Sequence, residues 1–331
     1  MIRVGIIGCG NIAQVHAWSL SRTDGVQIAA CADIKTERAE KMSREFTDGR
    51  AAVYAGLTDM LSAGGIDAVH ICLPHYLHVP AAMEALKAGC AVFMEKPPAV
   101  TMAEYEALRA LAASVPQPLG FCFQNRYNAT TVKLDSILAE GRLGAVKGAR
   151  GIVTWRRDEG YYSDDWHGTL SRECGGALMN QSIHTLDLML RYLGAPEKVE
   201  ARMACHHLPG RIEVEDMMEA WLETADGKRG CFYANTGYAE DAPVILEIAC
   251  EKGRATLIDQ MILLQENGKA PEQILCESPA GIGKSCWGSS HLLCIRDFYA
   301  CMKENRPFMN NLAGVENTLR TTLRIYESAR K

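Results

Sequence analysis

No run in the 331-residue chain approaches the roughly 20 consecutive apolar residues that a membrane-spanning helix needs. Positive charge is not in excess either. The formal net charge is -5, which removes the electrostatic case for nucleic acid or an anionic membrane as a partner. No C-x-x-C spacing occurs, although there are 13 cysteines. Cys9, Cys31, Cys72, Cys122, Cys231 and Cys250 sit inside apolar runs, as small core residues do, so a disulfide framework is not indicated. The chain opens on a strand-like run rather than a charged segment followed by a long apolar one, and it carries no internal repeat or low-complexity segment. These absences leave a reduced, soluble, cytoplasmic protein as the expectation.

What is present is ordinary globular material, 48% hydrophobic and 23% charged. At this length one core does not suffice, so two domains are expected, 1–122 and 123–331. In the first, apolar strands at 2–7, 26–32, 67–73, 90–96 and 118–123 alternate with helical periodicity at 11–22, 35–46, 77–89 and 101–114. Strands apolar on both faces and separated by helices imply a doubly wound parallel sheet of the Rossmann kind. The second domain changes grammar. Helices near 130–140, 177–193, 289–304 and 312–329 accompany strand-like runs at 146–155, 198–207, 214–224, 229–237, 244–250, 253–258 and 261–265. "ADGK" at 225–228 predicts a hairpin, so this domain reads as α+β with a large, mostly antiparallel open sheet.

"VGIIGCGNIAQVHA" sets Gly8, Gly10 and Ala13 at a strand-to-helix turn, with Asn11 and Ile12 opening the helix. The first glycine permits the turn and the second lets a pyrophosphate approach the backbone. The small third residue lets helix and strand pack. Asp33 ends the next strand, 20 residues beyond Ala13, where it would accept from the ribose hydroxyls and repel a 2′-phosphate. NAD is therefore expected rather than NADP.

Hydride transfer to a nicotinamide needs a matching proton acceptor from the protein. Lys96, in "MEKPP" at a strand end, is placed for that role, because partial burial tunes a lysine toward neutral pH. A second cluster lies in "CGGALMNQSIHTLDLML" (174–190), where Asn180, His184 and Asp187 are spaced to share one helix face. Taken with "CLPHYLH" (72–78), "GRLGAV" (141–146) and the "IRDFYACMKENRPFMNN" ending, these segments resemble the glucose–fructose oxidoreductase/inositol dehydrogenase (Gfo/Idh/MocA) family over essentially the whole chain. The resemblance implies NAD(P)-dependent oxidation or reduction at a hydroxyl or keto carbon of a sugar, sugar acid, nucleotide sugar or cyclitol. It makes Lys96 and His184 the acid/base residues. Glu95 would orient Lys96, Pro97 would follow a cis peptide, and Pro74, His75 and His78 would lie near the cofactor. It also implies a homodimer or homotetramer built through the C-terminal sheet.

Two departures bear on mechanism. Many members carry Asp where this chain has Asn180, and their glycine run is shortened here, with Cys174 before Gly175 and Gly176. The subset with "MNQ" is the better match, and an amide cannot titrate near neutral pH, so a proton relay is left to Lys96 and His184. Asn180 would then position a substrate hydroxyl or the lysine. "WRRDEGYYSDDWHGT" (155–169) precedes the helix and offers aromatic faces and guanidinium groups to a sugar. Arg156, Tyr161, Tyr162 and Trp166 are the candidate substrate residues there, with Asn125 and Arg126 after the last parallel strand, beside Asn180 and His184. No metal is expected, since neither His75 with His78 nor His184 with Asp187 has a recognised ligand spacing. Two other readings stay open: a glycosidase that holds NAD and oxidises C3 transiently, and a non-catalytic NAD(H) and ligand sensor.

Overall fold

The computed structural model describes residues 1–276 and 290–331, and the chain forms two compact units. The first comprises 1–124 and the described residues 290–315; the second comprises 125–276 and 316–331. The expected division after residue 122 keeps everything beyond it in one domain. Instead, helix α8 (His291–Glu304) packs on the first unit. Chain order alone does not reveal such a return. The expected first residue of that helix, 289, lies outside the described residues. Among the described residues no helix is long and apolar enough to cross a membrane.

The first unit is built on β1 (Ile2–Ile7), β2 (Val26–Ala32), β3 (Ala52–Tyr54), β4 (Ala68–Ile71), β5 (Ala91–Met94) and β6 (Leu119–Phe121). Their order is β3-β2-β1-β4-β5-β6, all parallel, so the sequence reverses direction between β1 and β4. Every residue of β4, β5 and β6 is buried, as a sheet covered on both faces requires. Helices α1 (Asn11–Leu20), α2 (Thr36–Thr47), α3 (Leu57–Ser62), α4 (His78–Lys87) and α5 (Met102–Ser114) cover it. Phe93, Phe298 and Phe308 form an aromatic contact around β5, with Phe93 to Phe298 at 5.2 Å between centroids.

The second unit carries α6 (Ala129–Ala139), β7 (Val146–Thr154), α7 (Ile183–Leu193) and the strands β8 (Pro196–Ala204), β9 (Met217–Thr224), β10 (Arg229–Asn235), β11 (Ile245–Cys250), β12 (Gly253–Ile258), β13 (Met261–Glu266) and β14 (Glu272–Leu275). Its eight-stranded sheet has the order β14-β13-β12-β11-β7-β10-β9-β8; only β7 and β10 pair in parallel. Strand β9 (Met217–Thr224) alternates buried and exposed residues, the signature of a sheet packed on one face. The same alternation corrects the expectation for Cys231. On β10 (Arg229–Asn235) it points outward and is exposed, while Cys250, at the end of β11 (Ile245–Cys250), is half-buried. Helix α7 packs on β7, β10 and β11 through buried Leu186, Met189 and Leu190.

Candidate active site

In the first unit the functional residues collect at the carboxyl ends of the parallel strands. Gly8, at the end of β1, has φ +84°, and a Cβ there would collide with the carbonyl oxygen of Cys72. Gly10 has nothing within 4 Å of where its Cβ would be, so the backbone there is open to a ligand. Helix α1 starts at Asn11 with no side-chain cap and no acid in its first turn, which leaves its N–H groups and dipole for an anion. Ala13 is fully buried where helix meets sheet. The Asp33 carboxylate accepts from Cys9 N (2.7 Å) and from Lys35 N (2.8 Å), which fixes it beside the glycine turn. An open glycine cradle, a bare helix end and a pinned acid fit a pyrophosphate and an adenosine ribose.

After β4, His75 and His78 are both buried and meet edge to face at 5.7 Å. His78 does not turn toward a ligand. Its ring nitrogens face the carbonyl oxygens of Pro97 (2.9 Å) and Leu73 (2.8 Å), tying the Pro74 loop to the one after β5. Burial holds that imidazole below its usual range, so the neutral ring donates to one of these carbonyls. His78 is thus a structural tie rather than a cofactor ligand. Lys96 and Pro97 are joined by a cis peptide. Glu95 is 5% exposed and turns into the protein: its carboxylate accepts from the backbone N–H of Lys96 (3.2 Å) and meets His16 Nε2 at 2.9 Å. Burial alone raises a carboxyl, but here the hydrogen bond from His16, with the positive charge of Lys96, brings Glu95 below the usual range. His16, Glu95 and Cys122 form one group of metal-ligating types, their ligand atoms within 4.8 Å of one another. The group is already internally bonded, because His16 also meets His70 at 2.8 Å and Cys122 Sγ meets Gln124 Oε1 at 3.7 Å.

In the second unit the expected single helix over 177–193 is two pieces. Residues Ala177–Ser182 form a π-helical turn, with Gln181 N donating to Gly176 O at 3.3 Å, and the α-helix proper starts at Ile183. The wider turn breaks the expected common face of Asn180 and Asp187. Asp187 instead accepts from Arg126, Nε to Oδ2 at 2.7 Å and Nη2 to Oδ1 at 2.5 Å, and from Thr318 Oγ1 at 2.5 Å. Arg126 and Asp187 are both buried. This forked pair corrects the expectation for Arg126: its guanidinium holds α7 in place rather than meeting substrate. Asn125 Oδ1 is buried and makes no hydrogen bond among the described residues.

Asn180 enters a different network. Its Nδ2 donates to Glu173 Oε1 (2.6 Å) and to the Tyr161 hydroxyl (3.2 Å), which also accepts from Gln181 Nε2 at 2.6 Å. Gln181 Oε1 accepts from Arg157 Nε (2.9 Å), and Arg157 Nη1 reaches Asp241 at 2.8 Å. The aromatics cluster beside it, Tyr161 and Tyr162 edge to face with centroids 4.9 Å apart, and Tyr161–His167 and Trp166–His167 tilted at 4.5 Å and 3.8 Å. Arg156 stays exposed, so the arginine joined to this network is Arg157. His184, next on α7, is half-buried. Sequence reasoning missed Glu173. It is 1% exposed and also accepts from Gly168 N. The only signal was an acid in "RECGG", seven residues before Asn180.

The turn before the helix explains its glycines. A Cβ on Gly175 would strike the Tyr326 hydroxyl, and one on Gly176 the Glu215 carbonyl. Buried Glu215 clamps the turn, accepting from Gly176 N and Leu178 N at 3.0 Å each and from Tyr326 at 2.7 Å. Cys174 has φ +66°, in the left-handed region that costs a side chain about 1–2 kcal/mol. Cys174→Gly should therefore stabilise the protein by roughly 0.5–1 kcal/mol after the larger chain entropy of glycine is subtracted. Urea denaturation reads this directly, and a destabilised variant would show that the Cys174 side chain contributes more than its strain.

Residues 2–120 match the description "Oxidoreductase family, NAD-binding Rossmann fold", and residues 131–256 match "GFO/IDH/MocA C-terminal domain". Inositol 2-dehydrogenase of Pseudomonas savastanoi pv. phaseolicola is 34% identical over 283 residues, 83% of this chain and 80% of that protein. D-glucoside 3-dehydrogenase of Escherichia coli is 27% identical over 289 residues, 81% of this chain and 80% of the relative. Among solved structures, the WlbA dehydrogenase from Bordetella pertussis, in complex with NADH and UDP-GlcNAcA, has a TM-score of 0.84 at 27% identity, covering 100% of this chain and 97% of that one.

Proposed function

The chain belongs to the GFO/IDH/MocA oxidoreductase family and is an NAD-binding dehydrogenase of carbohydrates, and we propose that it oxidises a hydroxyl-bearing carbon, or reduces the corresponding keto carbon, of a sugar, sugar acid, nucleotide sugar or cyclitol with Lys96 and His184 as its acid/base residues. The observation that carries this reading is within one parallel sheet: an open glycine turn pinned by Asp33, and Lys96 at the carboxyl end of β5. Bound NAD supplies the hydride acceptor. Gly8, Gly10 and the amino end of α1 would hold its pyrophosphate, and Asp33 would hold the adenosine ribose. In oxidation the substrate O–H proton goes to neutral Lys96 Nζ as the C–H hydride leaves, and the C–O bond becomes a carbonyl. In reduction the protonated lysine returns it. His184 supplies a second acid/base group, and Asn180 presents an amide held in one orientation by Glu173 and Tyr161. The cluster of Tyr161, Tyr162 and Trp166 offers apolar faces to a sugar ring.

A panel of inositols, glucosides, uronates and UDP-linked N-acetylglucosaminuronic acid, assayed separately with NAD and NADP, tests the reading. NADH formation from one class, with NAD clearly preferred, supports it. Glycoside release without added NAD would assign a redox-assisted hydrolase instead, and NADH binding with no turnover on the panel would assign a sensor.

The amide at 180 makes its own prediction. Asn180→Asp places a second carboxylate within 2.6 Å of buried Glu173, so one of the two must keep a proton. A carboxyl raised in the folded state contributes stability that is present at low pH and lost as pH rises through its folded value. The variant should therefore lose thermal stability relative to the parent more at pH 9 than at pH 6. Adding Glu173→Gln should cancel the pH dependence. A pH-independent difference would remove the pairing argument.

A further inference from the structure

Behind Lys96 lies a line of buried polar side chains from α8, β4, α1 and the loop after β5. The Tyr299 hydroxyl (α8) meets His70 Nε2 (β4) at 2.9 Å; His70 Nδ1 meets His16 Nδ1 (α1) at 2.8 Å; His16 Nε2 meets Glu95 Oε1 at 2.9 Å. The other oxygen, Glu95 Oε2, accepts from Lys96 N. Tyr299, His70 and His16 are each 0% exposed. Four interlocked polar groups in an apolar core are costly to retain for packing alone, since apolar replacements of similar volume are often neutral or stabilising.

Proton counting fixes the direction of the chain. Glu95 is a carboxylate, so His16 Nε2 must carry the proton it shares with it. Tyr299 has one hydroxyl proton, and among the described residues its only hydrogen-bond partner is His70 Nε2. If that proton goes to His70 Nε2, His70 Nδ1 carries a proton and donates to His16 Nδ1. Both rings are then neutral, and every donor points toward Glu95. The alternative, a charged His16 donating from both nitrogens, reverses His70 and strands the tyrosine proton. Burial holds His70 well below the usual imidazole range, which agrees with the neutral arrangement. An imidazolium would cancel the carboxylate, whereas a neutral donor binds it and leaves its charge intact.

We propose that His16 is a positioning residue which, as the last donor of a one-way chain from Tyr299 through His70, holds Glu95 as an uncompensated anion next to Lys96 and so sets the pH at which Lys96 gives up its proton. Its functional meaning rests on the reading of Lys96 as the proton-transfer residue. The other titratable groups that interact with Glu95 are His291 of α8, His78 of α4, Cys72 after β4, and Cys122 after β6. None of these is a cation near neutral pH, since burial lowers both histidines and raises both thiols, so the anion acts chiefly on Lys96.

The test needs no substrate. In the NAD-loaded protein, the Lys96 ¹³Cε resonance, assigned by Lys96→Arg, is titrated in the parent, His16→Leu and the nearly isosteric Tyr299→Phe. Loss of the His16 donor lets buried Glu95 take up a proton, so the Lys96 midpoint should move acidward by about one pH unit. Tyr299→Phe should move it the same way by less, and NAD affinity should stay within about twofold, because neither residue touches the glycine turn. Long-range ¹H–¹⁵N spectra should show neutral rings, protonated at Nδ1 for His70 and Nε2 for His16. Superimposable Lys96 titrations in the parent and Tyr299→Phe, or a His16 imidazolium at neutral pH, would overturn the proposal. Because no turnover is measured, that failure is distinct from failure of the Lys96 reading, which an active Lys96→Ala enzyme would bring about.

Discussion

Lys96→Ala should lower kcat by roughly 10²–10⁴-fold, the range that a positioned acid/base group contributes, while leaving the NAD dissociation constant within a few-fold. The two readouts separate because different parts of the unit carry them. Cofactor affinity rests on Gly8, Gly10, the start of α1 and Asp33, and Asp33 is pinned by backbone N–H groups rather than by Lys96. Lys96→Arg decides what the lysine does. Arginine keeps the positive charge but does not deprotonate near neutral pH, so it can hold an anion and cannot accept a hydroxyl proton. If Lys96 is the base, the arginine variant stays about as slow as the alanine variant. If the residue acts only by its charge, arginine restores most of the rate, and the assignment of proton transfer to Lys96 fails. Turnover at the parent's rate in Lys96→Ala would remove Lys96 from the chemistry altogether.

How much of this was legible in the sequence follows from where each signal lies along the chain. The parallel sheet and its glycine turn are local: strand, turn and helix occupy consecutive residues, and β1 and β2 fall on the expected 2–7 and 26–32. Some short elements escaped, whereas β4, β5 and β6, though no longer, lay in the apolar runs that marked them. Strand β3 has three residues, α3 six and β14 four, too few for a period to register. The π turn at Ala177–Ser182 was hidden because a helical pattern does not distinguish a wider turn from a regular one. Pairings across long chain separations were not readable at all. Glu173 reaches Asn180 across seven residues, but His16 meets Glu95 across 79 and His70 meets Tyr299 across 229. In the sequence, His16 is one polar residue in an apolar helix, and His70 one in an apolar strand. The same limit moved Arg126 from substrate ligand to structural tie, since its partner Asp187 lies 61 residues away.

Acid should unfold the protein earlier than its carboxylates alone require, because several histidines are buried in neutral form. His291 is 3% exposed, burial pushes its imidazole down to about 4, and Nδ1 has no hydrogen-bond partner among the described residues. His70 and His78 are lowered too, again chiefly by burial. A histidine depressed in the folded state contributes stability that is complete above its unfolded value near 6.5 and is lost as pH falls toward its folded value. For His291 the interval between 6.5 and about 4 is worth about 3 kcal/mol. Glu95, also depressed, adds to the loss only below the carboxylate range, and Glu215, raised by burial, opposes it. The histidines therefore dominate between pH 6.5 and 4.5. Since Nδ1 makes no hydrogen bond, His291→Leu should cost little at pH 7 and should abolish this residue's share of the acid sensitivity. Urea denaturation of parent and variant at pH 7 and 4.5 measures it. The parent should lose about 2–3 kcal/mol more than the variant over that interval. Equal losses would mean that His291 is hydrated or charged in the folded protein, and that the pocket beside Glu95 is wetter than its burial indicates.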